Sequence, residues 1–304
     1  MTDAQAAAEE LRLSRFSKEN RWYLKDSQGH IPPNSRKLLE EYSHIPPEDV
    51  DAHIYKMRDL LWSHAPFPCV GEFKFLILRL PTHPQYNRIL STLKSASAPY
   101  LLDLGCCVAP DLRSLAHSGI PSTQLYGSDL VSSYLTTSYE LFNDKNSFKG
   151  TLVPANIFSE TLFEEEFRGW EGKFTFIHAG LFLHLFGWER QVAASEQIVR
   201  LLKQEKGAMF LGEMAGCQGG GLRGGPARAG VGKEETKQWQ YLHDEGSFEK
   251  LWGEVAEKTN TVGRWKIESS FKLRRLEKEK EGNQALGYFE GEGIGFFVFS
   301  VERI

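Results

Sequence analysis

Two acids and a glycine in this 304-residue chain have the spacing of a nucleoside-binding site. Asp103 lies in the run Tyr100-Leu101-Leu102-Asp103-Leu104-Gly105-Cys106-Cys107. Leu101, Leu102 and Leu104 suit a strand buried on both faces, as in a parallel sheet. At Gly105 the chain leaves the strand and passes close to something else, which the lack of a Cβ permits. The Asp103 carboxylate then belongs at the C-terminal edge of an open α/β sheet, where ligands usually bind. About 25 residues on, Leu125-Tyr126-Gly127-Ser128-Asp129 reads as a second strand that also ends in an acid. From there Asp129 can accept hydrogen bonds from both hydroxyls of a ribose, at about 1.5–3 kcal/mol each when charge-assisted.

The spacing alone does not separate NAD from another nucleoside. After Gly105 come Cys106, Cys107, Val108, Ala109 and Pro110, so there is no G-x-G-x-x-G. A pyrophosphate needs a glycine-rich turn against a helix N-terminus, and one glycine supplies that poorly. A cofactor with an amino-acid tail and no phosphate fits better.

Elements that would hold these residues alternate along the chain. Val50, Ile54, Met57 and Leu61 fall on one face of a helix that must end before Pro66. Phe73 to Leu80 is apolar and reads as helix or strand, and Tyr86 to Leu93 as a short helix. Residues 12 to 45 carry no clear period, and Pro32-Pro33 reads as a break. Beyond the Asp103 strand, helices are expected at Asp111 to Ser118, Ser132 to Phe142 and Gln191 to Leu202. Strands are expected at Thr151 to Val153, Phe174 to Ala179, Ala208 to Leu211, Trp265 to Phe271 and Gly295 to Val301. This alternation predicts an α/β fold with a doubly wound parallel sheet. Ser247 is the expected cap of a helix whose apolar face is Phe248, Leu251, Trp252 and Val255. Between Gly216 and Gly232 glycines crowd together, and we expect a loop with no packed element, or a mobile lid over the pocket. Its glycines match no P-loop. The charged run Arg274 to Glu281 reads as a solvated surface. The division this suggests is an N-terminal helical cap over 1–95, frayed at its start, and a cofactor-binding domain over 96–304.

A net charge of −4 argues against a polyanion-binding surface, so no nucleic-acid partner is expected. No window approaches the roughly 20 apolar residues of a membrane span. The Ala- and Glu-rich start has no signal core, which points to the cytoplasm. The four cysteines, Cys69, Cys106, Cys107 and Cys217, lack metal-site spacing and read as reduced packing residues; no metal is expected.

Taken together, Asp103 to Cys107, Tyr126 to Leu130 and Phe176 to Ala179 resemble class I S-adenosylmethionine-dependent methyltransferases. The closer resemblance is to the small methyltransferases of fungal secondary metabolism, including those of meroterpenoid pathways. Glu41 to Pro47, His184 to Phe186, Trp188-Glu189, and Tyr241 to Asp244 before Ser247-Phe248 carry it. It spans roughly residues 20 to 304. It implies a Rossmann-like seven-stranded sheet with the last strand antiparallel, and a dimer through the N-terminal helices. It also implies that Asp103 and Gly105 meet the methionine part of the cofactor, and that Asp129 takes the ribose. Asn156 and Ile157 would flank the adenine, while His178 and Ala179 would line the site under the sulfonium. The chain departs from the family at Ala109, where glycine is usual, and at Asn156, where an acid is usual. An amide oxygen still bonds an adenine amino group, but Ala109-Pro110 would tighten the space above the cofactor.

The expected reaction is attack of an acceptor atom on the sulfonium methyl, most simply at oxygen of an apolar small-molecule intermediate such as a polyketide-terpenoid. A carboxylate acceptor needs no base. A hydroxyl gains about 100- to 10,000-fold from one, and His184 is the candidate, ahead of His243 and His178; each also reads as a packed core histidine. Trp22, Tyr23, Phe182, Phe186 and Trp188 could wall an apolar pocket, or belong to the core. Three other readings stay open: the same fold catalysing a cyclisation, isomerisation or pericyclic step; a non-catalytic partner subunit; and an NAD dehydrogenase.

Overall fold

The computed structural model describes residues 14, 16–27, 29–95, 99–225, 238–273 and 292–304. Its core is a seven-stranded sheet in the order β3-β2-β1-β4-β5-β9-β8. The strands are β1 (Tyr100–Leu104), β2 (Leu125–Asp129), β3 (Thr151–Pro154), β4 (Phe174–His178), β5 (Met209–Cys217), β8 (Trp265–Leu273) and β9 (Ile294–Arg303). β1 to β5 run parallel, and β9 runs antiparallel to both of its neighbours, β5 and β8. The helices between them are α5 (Pro110–His117), α6 (Ser132–Leu141), α7 (Trp188–Leu201) and α8 (Glu245–Lys258). The expected doubly wound sheet with its reversed last strand is therefore present.

β1 is apolar because both its faces are covered. Leu102 and Leu104 enter one cluster with Ile177, Phe210 and Trp252, whereas Leu101 enters another with Leu112, Leu125 and Phe176. Trp252 stacks on Phe210 with ring centroids 5.6 Å apart. Each such side chain contributes about 1.5–3 kcal/mol on burial.

Ahead of β1 lie α1 (Pro33–Glu41), α2 (Val50–His64), the single turn α3 (Pro68–Gly71) and α4 (Tyr86–Leu93). Pro32-Pro33 does not break structure; Pro33 begins α1, since a first-turn residue needs no amide hydrogen. The Val50, Ile54, Met57 and Leu61 face of α2 is buried with Val108, Tyr134, Leu141 and Phe142, so the N-terminal helices share a core with the sheet's own helices. Tyr42 Oη donates to Asp144 (2.9 Å), and Asp144 pairs at 2.9 Å with the fully buried Arg113.

Three local expectations are corrected. Phe73 to Leu80 is neither helix nor strand but two 3-10 turns, Lys74–Leu76 and Leu80–Thr82, because Phe73 is left-handed at φ 59°. Ser247 is not the cap of α8; Asp244 is. Ser247 stands three residues in and completes a reciprocal box, its amide donating to Asp244 (2.9 Å) and its hydroxyl accepting from the Asp244 amide (3.0 Å). Nor is 216–225 a loop. Gly216 and Cys217 end β5, and β6 (Gly221–Gly225) pairs antiparallel with β7 (Gln238–Leu242). Cross-strand bonding offsets the glycine entropy there. Residues 226–232 and the run 274–281 lie outside the described residues.

Candidate cofactor site at the carboxyl edge of the sheet

The C-terminal ends of β1, β2 and β4 lie side by side, which brings Asp103, Asp129 and His178 to one edge. The turn after β1 is fastened to β2. The amides of Gly105 and Cys106 donate to Ser128 O (2.7 and 3.0 Å). Cys107 N donates to Asp129 Oδ2 at 2.8 Å, and Val131 N donates to Asp129 Oδ1 at 2.9 Å. Burial raises the Asp129 carboxyl and the Val131 and Cys107 amides oppose it, with a net upward shift. A carboxylate has about four acceptor directions, so two backbone bonds leave room for ribose hydroxyls.

The edge is conformationally strained. Gly105, Cys107, Ala109 and Leu181 are all left-handed, at φ 72°, 53°, 51° and 53°. Three of these are not glycine, and each such residue costs on the order of 1–3 kcal/mol. Strain of this kind clusters where backbone must be held for a ligand. Gly105 also lies against Phe182, since a Cβ there would stand 2.7 Å from the ring. The Phe182 ring therefore packs directly on the Gly105 backbone. Ala109 does not tighten this space. Its methyl is fully buried in the cluster with Leu80, Leu101 and Leu112.

Beneath the edge is a network of buried titratable groups. His178 Nδ1 and Asp103 Oδ1 are 2.8 Å apart and both residues are buried. Burial alone would lower His178, but the Asp103 carboxylate outweighs it and raises the imidazole. Asp111 accepts from the amides of Arg79 and Leu80, both at 3.0 Å, and burial pushes its carboxyl up to about 7. The donor atoms of Asp103, Asp111 and His178 lie within 4.8 Å of one another; these internal bonds account for the cluster. Arg79 Nη1 donates to Glu213 Oε1. On the cap side, Lys74 bonds Glu72 and both are buried. The neighbouring Cys69 thiol and burial together raise the Cys107 thiol.

The residues singled out from sequence divide accordingly. Gly105 and Asp129 form the rim. Asp103 and His178 form the layer below it, and Ala179 is buried with its amide on Leu211 O (2.9 Å). Asn156 is exposed beyond β3, its oxygen accepting from Phe158 N (3.1 Å), and Ile157 is buried beside it. His184 Nδ1 accepts from Ala215 N at 3.1 Å, so the neutral ring carries its proton on Nε2 and neither nitrogen is a base while that bond stands. His243 is fully buried between Ser247 Oγ and Gln191 Oε1, each 3.0 Å away, and burial pushes it down to about 4. The five aromatics do not form one wall. Phe182 and Phe186 pack edge to face (5.3 Å), Trp188 packs on Tyr241 and bonds Glu254, and Tyr23 lies in the cap under Arg58. Sequence reasoning missed Arg79 and Glu213, whose meeting needs the tertiary fold. A cavity of about 330 Å³ on the cap, lined by Asp26, Arg36, Asp51 and Tyr55 among others, contains none of these residues.

Among the described residues no helix is long and apolar enough to cross a membrane. The family model for a meroterpenoid methyltransferase N-terminal domain matches residues 22–76. The O-methyltransferase phiE of a fungal species (strain ATCC 74256) is 38% identical over 272 residues, covering 90% of this chain and 85% of that protein. The O-methyltransferase atr3 of Stereocaulon alpinum is 35% identical, covering 88% and 74% respectively. The methyltransferase trt5 of Aspergillus terreus is 33% identical, covering 73% and 76%. Among solved structures, magnesium protoporphyrin IX methyltransferase from Synechocystis PCC 6803 aligns with 99% of this chain and 97% of its own. That match has 12% identity and a TM-score of 0.40, a likeness too weak to add to the topology above.

Proposed function

The chain belongs to the family of S-adenosylmethionine-dependent methyltransferases of fungal secondary metabolism that includes phiE and atr3, and we propose that it O-methylates an apolar small-molecule intermediate of the polyketide-terpenoid kind. The observation that carries the reading is the joint between Asp129 and the turn after β1, which holds a ribose-accepting carboxylate beside a glycine. The buried Arg79 Nη2, which has no acceptor among the described residues, also fits a ligand that brings a carboxylate.

In this reading Asp129 holds the ribose, Gly105 borders the methionine part, and Ile157 and Asn156 flank the adenine. Asp103 positions His178 beneath the sulfonium, with Ala179 beside it. The cofactor supplies an activated methyl group. The protein's contribution is alignment, since a near-attack geometry is worth on the order of 7–11 kcal/mol. The preferred acceptor is a carboxylate, which attacks without a base; the engaged Nδ1 of His184 favours that choice over a hydroxyl. Residues 1–95 act as the cap, 96–304 as the cofactor-binding domain, and 216–225 border the acceptor space. We place the protein in the cytoplasm as a homodimer, with no nucleic-acid partner. The rival pericyclic or cyclising reading drew on Ala109-Pro110, and with the Ala109 methyl buried in the core that motive lapses.

The test is incubation with methyl-labelled S-adenosylmethionine and a panel of acidic and phenolic polyketide-terpenoids. A product heavier by one methylene and carrying the label supports the proposal. An isomeric, unlabelled product would replace it with the rival.

A further inference from the structure

Arg79 comes to the sheet edge from the cap, out of the segment between α3 and α4, and it is held there at two points. Its amide donates to Asp111 Oδ1 at 3.0 Å, and Nη1 donates to Glu213 on β5. Its Cδ lies 3.1 Å from the point a Cβ on Gly180 would occupy, directly after His178 and Ala179. Nη2 is buried and has no hydrogen-bond partner among the described residues. Nearly all buried N–H groups are bonded, and an orphan calls for an account. The planar guanidinium carries donors on both arms in a fixed fork, and Glu213 takes only one arm.

We propose that the free arm of Arg79 receives the carboxylate of the cofactor's amino-acid tail, an inference that rests on the cofactor assigned above. The tail must lie between Gly105 and the end of β4, and Gly180, against which Arg79 packs, follows that strand end. Glu213 on the first arm fixes the plane of the fork. A second carboxylate on the other arm makes a charge-assisted bond and satisfies the orphan donor. The neighbouring acids Asp103 and Asp111 do not compete for Nη2, because the first is engaged by His178 and the second by the backbone amides of Arg79 and Leu80. Lys74 is the nearby second cation, and it is bonded to Glu72.

Calorimetric titration with two ligands isolates this contact. S-adenosylhomocysteine carries the tail; 5′-methylthioadenosine is a nucleoside thioether without it. For Arg79→Gln we expect affinity for S-adenosylhomocysteine to fall about 10- to 100-fold, with methylthioadenosine changed less than about 2-fold. Arg79→Lys should fall between parent and Arg79→Gln. Glu213→Gln, which breaks the ion pair but keeps the guanidinium, should retain preference for the tailed ligand and so separates loss of the pair from loss of the ligand contact. Equal weakening of both ligands in Arg79→Gln, or no change in either, overturns the proposal. A parent protein that binds neither ligand overturns the cofactor assignment itself, and this inference with it.

Discussion

The Cys107 amide donates to the Asp129 carboxylate across 2.8 Å, so the acid that closes β2 and the turn that leaves β1 form one unit. Asp129 therefore holds the turn, and the proposed function gives it a second duty, accepting from a ribose. In Asp129→Asn the amide oxygen can keep one backbone bond but loses the charge. We expect S-adenosylhomocysteine affinity to fall roughly 10- to 100-fold, with a melting temperature only modestly lowered. Calorimetry on the folded variant checks it, and parental affinity would remove Asp129 from the binding site.

Arg113 and Asp144 form a buried pair that also receives the Tyr42 hydroxyl from the cap. Arg113 further lies over the Phe148 ring at 4.1 Å. Arg113→Leu leaves Asp144 buried without its cation, which should cost about 3–5 kcal/mol in urea unfolding. Tyr42→Phe removes one hydrogen bond to a charged acceptor and should cost about 1.5–3 kcal/mol. A loss under about 1 kcal/mol for Arg113→Leu would place this pair with solvent-screened ones.

The parts legible in sequence are those set by local pattern. β1 reads correctly because Leu101, Leu102 and Leu104 must all be apolar in a strand covered on both faces. α2 reads correctly because its buried residues keep a helical period. Pro33 was misleading because proline stops a helix from within but starts one at its first turn. β6 was hidden because its glycines carry no strand pattern and are ordered by a partner, β7, that lies across the 226–237 segment. For the site, Gly105 and Asp129 were visible as strand-end punctuation. Arg79, Asp111 and Glu213 were not, since they come from three separated segments and no spacing rule links them. His184 looked like a base from its place after β4, and only the backbone of β5 reveals the acceptor role of its Nδ1.

Ala109 is left-handed and fully buried, and its methyl belongs to the core. Ala109→Gly relieves the backbone by about 1–2 kcal/mol, while roughly 0.8 kcal/mol of burial is lost and the unfolded chain gains entropy. We expect a melting temperature near the parent's and cofactor affinity unchanged within about 3-fold. A large gain in affinity would mean that the methyl does crowd the cofactor.

His184→Ala strips the Ala215 amide of its acceptor inside the protein. The expected loss is about 1–3 kcal/mol of stability, with turnover of the folded fraction within tenfold of the parent. A fall in kcat approaching the 100- to 10,000-fold span of general-base catalysis, at unchanged cofactor affinity, would restore His184 as the base and favour a hydroxyl acceptor.

Asp111 gives the fold a distinctive response to pH. Burial pushes its carboxyl up to about 7, whereas the unfolded chain titrates near 3.9. Between those values the folded state keeps a proton that the unfolded state has released, so this contribution is complete below about pH 4 and is lost as pH rises toward about 7. His178, raised by Asp103, has the same sign, and its contribution is lost as pH climbs above the ordinary histidine value near 6.5. His83 and His243, both pushed down to about 4 by burial, act oppositely and cost stability as pH falls below about 6.5. Asp111→Asn isolates the first effect, because its amide oxygen can still accept from Arg79 and Leu80 but does not titrate. Across melts from about pH 5 to about pH 8, the parent should lose stability relative to Asp111→Asn as pH rises. Parallel curves would mean that Asp111 is ionised in the folded protein across this range.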